Sequence, residues 1–113
     1  MTDSLAAVEN FGRAFDAKDV DAVMAAMTAD CVFVDTAPPD GERHVGAAAV
    51  RAAWTAFFAA SPDARFTVEE SIASGDRVVQ LWRYDFAGGH VRGVDVLTVR
   101  DGLVAEKHSY VKG

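Results

Sequence analysis

Apolar residues recur at helical spacing near the start of the chain. Leu5, Val8, Phe11 and Phe15 follow the capping candidates Thr2, Asp3 and Ser4, so residues 4–17 are predicted to form an amphipathic helix. A second helix follows, capped by Asp19, with Val20, Val23, Met24 and Met27 as its buried stripe and Thr28-Ala29-Asp30 as its end. The β-branched and aromatic run Cys31-Val32-Phe33-Val34-Asp35-Thr36 then reads as a short strand, stopped by Pro38-Pro39-Asp40-Gly41. Gly46 opens a third helix carrying Val50, Trp54, Phe57 and Phe58, which Ser61-Pro62-Asp63 closes.

From Arg65 the pattern changes to long β runs separated by Gly75-Asp76, Gly88-Gly89 and Asp101-Gly102, each a hairpin signal. Helices come first and a four-strand meander second. The expected fold is a single α+β domain over residues 1–113, a cone-shaped curved antiparallel sheet with an added short N-terminal strand, wrapped around three helices. One sheet face lies on the helices. The apolar side chains of the other face (Val94, Val96, Tyr110) suggest a partner, and a homodimer is the economical answer.

Composition narrows the function. A chain of 113 residues buries roughly two-thirds of its unfolded surface, enough for one core. With 7 Phe, 2 Trp and 2 Tyr, side chains remain to line a cavity for a hydrophobic small molecule. The net charge of −6, with no basic stripe, argues against nucleic acid and anionic membranes. No basic leader and no apolar run long enough to span a bilayer is visible, so a cytosolic protein is expected. Cys31 reads as a small buried thiol. His44, His90 and His108 show no metal-ligand spacing, so no metal site is expected, although His44 is a candidate for the pocket mouth.

Opposed residues on adjacent strands share a face. A two-residue Gly88-Gly89 loop sets Trp82 opposite Asp95, Tyr84 opposite Gly93 and Phe86 opposite Val91, leaving Asp95 a lone carboxylate among aromatic rings. The last hairpin admits two registers. A two-residue Asp101-Gly102 turn puts His108 and Tyr110 beside Asp95, whereas a three-residue loop puts Lys107 and Ser109 there.

The order helix, helix, "ADCVFVDT", Pro/Gly loop, "VGAAAVRAAW" and "RGVDVLTVRDGLVAEKHSYVKG" resembles the nuclear transport factor 2-like superfamily, specifically its SnoaL-like and ketosteroid isomerase-like enzymes. The resemblance implies a deep apolar pocket and dimerisation through the outer sheet face. It sets Asp35 where ketosteroid isomerases keep the general base and Asp95 where they keep a protonated acid that hydrogen-bonds the enolate. Phe11 occupies the position of the oxyanion-hole tyrosine, and Trp54 looks equivalent to a second pocket tyrosine, with an indole N–H to donate. Ketosteroid isomerase is itself the standard example of two acids split in this way, so the logic carries over without a magnitude.

The leading expectation is therefore an acid/base enzyme of isomerase or cyclase type, acting on a hydrophobic carbonyl-bearing molecule. Asp35 is its base and Asp95 its acid, and Phe11, Phe15, Trp54, Phe57, Trp82, Tyr84 and Ser109 contact the substrate. That chemistry requires no cofactor. Arg83-Tyr84-Asp85 offers a rival, resembling the water-activating pair of limonene epoxide hydrolases, but the hairpin register turns Arg83 and Asp85 away from Asp95, and that family's second Asp falls at Ser109. A ligand-binding module without turnover and a purely structural dimerisation domain are the remaining readings. Each carboxylate also has a structural role available: Asp35 can accept backbone N–H groups of the Pro/Gly loop, and Asp95 can pair with Lys107.

Overall fold

The computed structural model describes residues 3–112. Its elements run α1 (Ser4–Asp16), α2 (Val20–Ala25), β1 (Met27–Val34), β2 (Arg43–Val45), α3 (Ala47–Ala60), β3 (Arg65–Ser74), β4 (Arg77–Phe86), β5 (Gly89–Arg100) and β6 (Leu103–Val111). The strands form one sheet in the order β2-β1-β6-β5-β4-β3, antiparallel except for β1 against β6. The α+β architecture and the four-strand meander match the reading of the sequence. Among the described residues, no helix is long and apolar enough to cross a membrane.

Local chemistry explains the boundaries. Asp3 caps α1 by accepting from the Ala6 N–H at 3.2 Å, and Asp19 caps α2 through Ala22 at 3.1 Å. The cap candidate Thr2 lies outside the described residues. The second helix is shorter than its stripe predicts: Met27 and Thr28-Ala29-Asp30 belong to β1 instead. Met27 is buried either way, because the strand sets it against Val104 of β6, and tertiary pairing overrides the helical spacing of so short a segment.

Two strand details reach into the site. The three residues of β2 escaped the sequence reading because so short a segment shows no alternation, yet Val32, Phe33 and Val34 pair with Val45, His44 and Arg43. In the β4–β5 hairpin the loop is Ala87-Gly88 rather than Gly88-Gly89, which sets Trp82 opposite Gly93, Tyr84 opposite Val91 and Phe86 opposite Gly89. Asp95 therefore faces Gln80, not Trp82. The slip is two residues, so every side chain keeps its predicted face.

The last hairpin combines both of the registers considered. Asp101 and Gly102 have φ of 56° and 77°, as a two-residue type I′ turn requires. A bulge then intervenes, since Thr98 pairs with Glu106 but Val99 with Val104, leaving Ala105 as the extra residue. Beyond it the face is inverted, and Ser109 lies opposite Asp95 with Lys107 opposite Leu97.

The core between helices and sheet contains Val8, Phe11, Val23, Val50 and Trp54 against Cys31, Val78, Leu97 and Val104. Cys31 is a fully buried free thiol, and burial pushes its pKa up, which keeps it protonated and unreactive. On the outer face Tyr110 is 61% exposed beside its cross-strand partner Val94.

Candidate functional site

Sheet register sets the site out in two rows. Phe33 of β1 is flanked by His44 of β2 and Lys107 of β6, and Leu97 of β5 continues that row. One pleat further along come Asp35, just past β1, then Ser109 and Asp95. Strands are spaced by about 4.8 Å, so His44 and Lys107 stand about two spacings apart on one face, with the Phe33 ring between them.

Above these rows the sheet and helices leave a cavity of about 460 Å³, a volume within the range of small-molecule sites. Its apolar wall comes from Phe15 of α1, Trp54 and Phe57 of α3, and Phe66, Trp82 and Tyr84 of β3 and β4. The rings hold one another, Phe33 on Trp54 at 4.1 Å and Phe66 on Tyr84 at 4.6 Å between centroids. Its charged and small polar groups are Asp35, Thr36, Glu42 and His44 around the end of β1 and β2, and Lys107 and Ser109 on β6. The indole nitrogens of Trp54 and Trp82 are buried without a hydrogen-bond partner.

Most of the residues expected to contact substrate lie on this wall: Phe15, Trp54, Phe57, Trp82, Tyr84 and Ser109. Phe11 does not. It sits 4% exposed in the core, edge-on to Trp54 at 6.2 Å, and supports the wall from behind. Asp35 lines the cavity and Asp95 does not, so the two carboxylates expected to share one chamber are separated.

Asp35 is held on every side. Its Oδ1 accepts from the Glu42 N–H at 2.7 Å and the Ala37 N–H at 3.0 Å, and its Oδ2 lies 3.1 Å from His44 Nε2. Partial burial pushes its pKa up, but the Glu42 and Ala37 amides and His44 together outweigh that, leaving the carboxyl below its ordinary value. An ionised carboxylate only accepts, so Nε2 carries the proton and donates, which leaves Nδ1 as the basic nitrogen of a neutral His44. The imidazole stacks on Phe33 at 5.7 Å with 17° between planes, which fixes its orientation.

A lowered folded pKa contributes stability above the unfolded value, and that contribution disappears as pH falls through the folded one. We expect Asp35 to support the fold fully above its ordinary value of 3.8 and to lose that support below it. Urea midpoints measured against pH should show a steeper acid decline for the wild type than for Asp35→Asn. Identical declines would mean the amide contacts do not hold the carboxylate.

Asp95 is not the lone acid among rings that the sequence suggested. Its Oδ2 lies 3.1 Å from Lys107 Nζ, with both side chains under a tenth exposed. Lys107 also donates to Ser109 Oγ at 2.9 Å, and its ammonium stands 5.0 Å from the Phe33 ring, 5.3 Å from Trp54 and 5.7 Å from Phe15. Carboxylate and three ring faces all attract the ammonium. Asp95 Oδ1 is buried without a partner. The cavity thus meets Lys107 directly and Asp95 only through it.

Other candidates have less to offer. Arg83 and Asp85 pair with each other, more than a third exposed, and neither lines the cavity. The ligand atoms of Asp35, Glu42 and His44 lie within 4.8 Å of one another and are the group that could meet a cation, but Oδ2 of Asp35 is engaged by His44 and Glu42 is exposed. A second cavity of about 500 Å³ shares Phe15, Phe57, Phe66 and Tyr84 with the first. Of its two cations, Lys18 is tied to the Ala64 carbonyl at 2.8 Å and Arg65 is exposed.

Comparison with known proteins adds a family and a fold. A family model described as a SnoaL-like domain matches residues 8–107. A nuclear transport factor 2-like protein of unknown function from Mesorhizobium loti is 38% identical, with TM-score 0.86 over 97% of this chain and 91% of that one. A proposed polyketide cyclase from Sinorhizobium meliloti is 25% identical, with TM-score 0.81 over 95% of this chain and 98% of that one. TerC, co-crystallised with polyporic acid, shares the fold at 19% identity, with TM-score 0.81 over 96% and 91% of the two chains. Among curated proteins none matches.

Proposed function

This chain belongs to the SnoaL-like domain family of the nuclear transport factor 2-like superfamily, and from that premise we propose that it moves a proton on a hydrophobic, carbonyl-bearing small molecule held in the aromatic cavity. The observation that carries the reading is the Asp35–His44 pair at the wall of an otherwise apolar chamber. His44 is the proton acceptor. Asp35 anchors its Nε2–H, fixes the tautomer and stabilises the imidazolium once the proton has moved. Asp35 alone is a poorer base, because its amide contacts favour the ionised form and imidazole is the side chain that changes charge nearest neutral pH.

The reaction class is enolisation next to a carbonyl, the step shared by isomerisation and aldol-type cyclisation. The name of the Sinorhizobium meliloti relative, a proposed polyketide cyclase, supports ring closure as the outcome, and the co-crystal of TerC with polyporic acid supports a small organic acid as a ligand of this fold. The outward apolar residues Val94, Val96 and Tyr110 support pairing of two copies through that sheet face.

The test uses 2-tetralone, a bicyclic ketone, in deuterated water, with NMR following deuterium entry next to the carbonyl. The wild type should accelerate exchange over buffer. His44→Phe, which keeps the ring on Phe33, and Asp35→Asn should each lose about 100-fold of that acceleration. Exchange at the wild-type rate in both folded variants would remove the dyad from the mechanism.

A further inference from the structure

An ammonium group carries three N–H donors. In Lys107 one donates to Ser109 Oγ at 2.9 Å, and the ammonium pairs with Asp95 Oδ2 at 3.1 Å. Among the described residues no oxygen accepts the third, and around it stand only the faces of Phe15, Phe33 and Trp54. Those same three rings, with Lys107 and Ser109, line the cavity, whereas Asp95 lies outside its wall. The remaining donor therefore belongs to the cavity side. It is a cation with a spare hydrogen bond, buried beside three aromatic rings.

We infer that Lys107, with Ser109 beside it, is an anion site that takes the ligand as a conjugate base, binding the oxygen of a phenolate, enolate or carboxylate. This inference gives the ligand chemistry of the cavity proposed above and rests on that cavity being the ligand site, but not on proton transfer by His44.

Three features fit an anion better than a neutral carbonyl. The pair with Asp95 is internal, so the ammonium stands between Asp95 and the cavity and presents its own field to the ligand. Charge-assisted hydrogen bonds are roughly twice as strong as neutral ones, and a dry site weakens their screening. The carboxylate of Asp35, at the end of the neighbouring strand β1, also lines the cavity about one strand spacing away, so its repulsion turns a ligand anion from that end of the wall toward the Lys107 ammonium. The ligand class is an aromatic or alicyclic weak acid whose ring fills the space between Phe57, Trp82 and Tyr84.

The probe is 4-nitrophenol, whose phenolate and phenol forms have distinct absorbance bands. Below the probe's own pKa in water, the wild type should bind it and generate the phenolate band. Lys107→Met/Asp95→Leu removes both charges at similar volume and should fold, bind the probe about 10- to 100-fold more weakly, and show only the neutral phenol. Lys107→Arg should retain the band. His44→Phe should retain it too, which separates this site from the proton-transfer reading: a band lost only in His44→Phe would mean that the imidazole, not Lys107, ionises the probe. The wild-type spectrum is decisive even where a variant does not fold, since uptake of the probe as neutral phenol overturns the inference.

Discussion

Replacing Lys107 by methionine alone should destabilise the domain by about 3–5 kcal/mol, because the change leaves Asp95 buried without its cation. The Asp95 carboxylate is 8% exposed, and one of its oxygens already lacks a hydrogen-bond partner. Nothing else on the described residues could neutralise it within hydrogen-bond reach. For a domain of this size each kcal/mol corresponds to about 4–8 °C of melting temperature, so the single variant should melt tens of degrees lower or not fold at 37 °C. The double variant with Asp95→Leu should recover most of the loss, since replacing a whole buried pair by apolar side chains is often neutral. Thermal melts of the two variants side by side measure the coupling. A single variant as stable as the wild type would mean that water reaches Asp95, and that the cavity is wetter than its aromatic wall implies.

Gly93→Ala is expected to be the next most damaging change. A Cβ there would stand 2.3 Å from the Tyr110 carbonyl oxygen and 2.4 Å from Cζ2 of Trp82. The first contact is backbone in the neighbouring strand, which can yield only by breaking the β5–β6 ladder, and the second is a ring whose face forms the cavity wall. Overpacking of this kind costs about 1–3 kcal/mol, and two rigid contacts place this position at the upper end. The variant should also lose ligand affinity, because Trp82 must shift into the cavity to make room. Urea unfolding and 4-nitrophenol titration of the same sample test both effects. Normal stability with unchanged binding would show that the ring has somewhere else to go.

Much of this architecture was legible in the chain. Alternation from Arg65 onward and three turn signals specified the meander, and the Asp3 and Asp19 caps specified the first two helix starts. Even the misplaced β4–β5 loop left the right residues facing inward, because an error of two residues preserves the pleat. What the sequence hid was the parity of β6. A bulge at Ala105 leaves no local mark, yet it decides whether Lys107 or His108 faces the cavity. With the parity open, Lys107 could be read only as a structural partner for Asp95, and its contacts with the rings of Phe15, Phe33 and Trp54 were out of reach. His44 could be read only as a candidate for the pocket mouth, and its pairing with Asp35 was hidden for a different reason: three residues of strand carry too little periodicity to place a side chain on a sheet. Asp35 was the easier residue to find, since a carboxylate at the end of an apolar strand stands out, but its weakness as a base follows only from the Glu42 and Ala37 amides that fold back onto it.

Gly41 explains how that loop closes. Its φ of 82° favours glycine, and a Cβ would meet the Asp35 carbonyl at 2.3 Å, so the Pro/Gly segment can fold over Asp35 only with a residue that has no side chain there. Sequence, loop and dyad are linked at this one position: the turn delivers the Glu42 amide to Oδ1 and starts β2, which in turn carries His44 to Oδ2.

Both the proton transfer and the anion site require one chamber to receive a ligand between His44 and Lys107. A crystal structure of the wild type with 4-nitrophenol is the most direct test. The predicted result is a ring lying among Phe57, Trp82 and Tyr84, with its phenolic oxygen within hydrogen-bond distance of Lys107 Nζ. A probe seated on the outer face beside Val94 and Tyr110, or a chamber closed by collapsed aromatic rings, would contradict it.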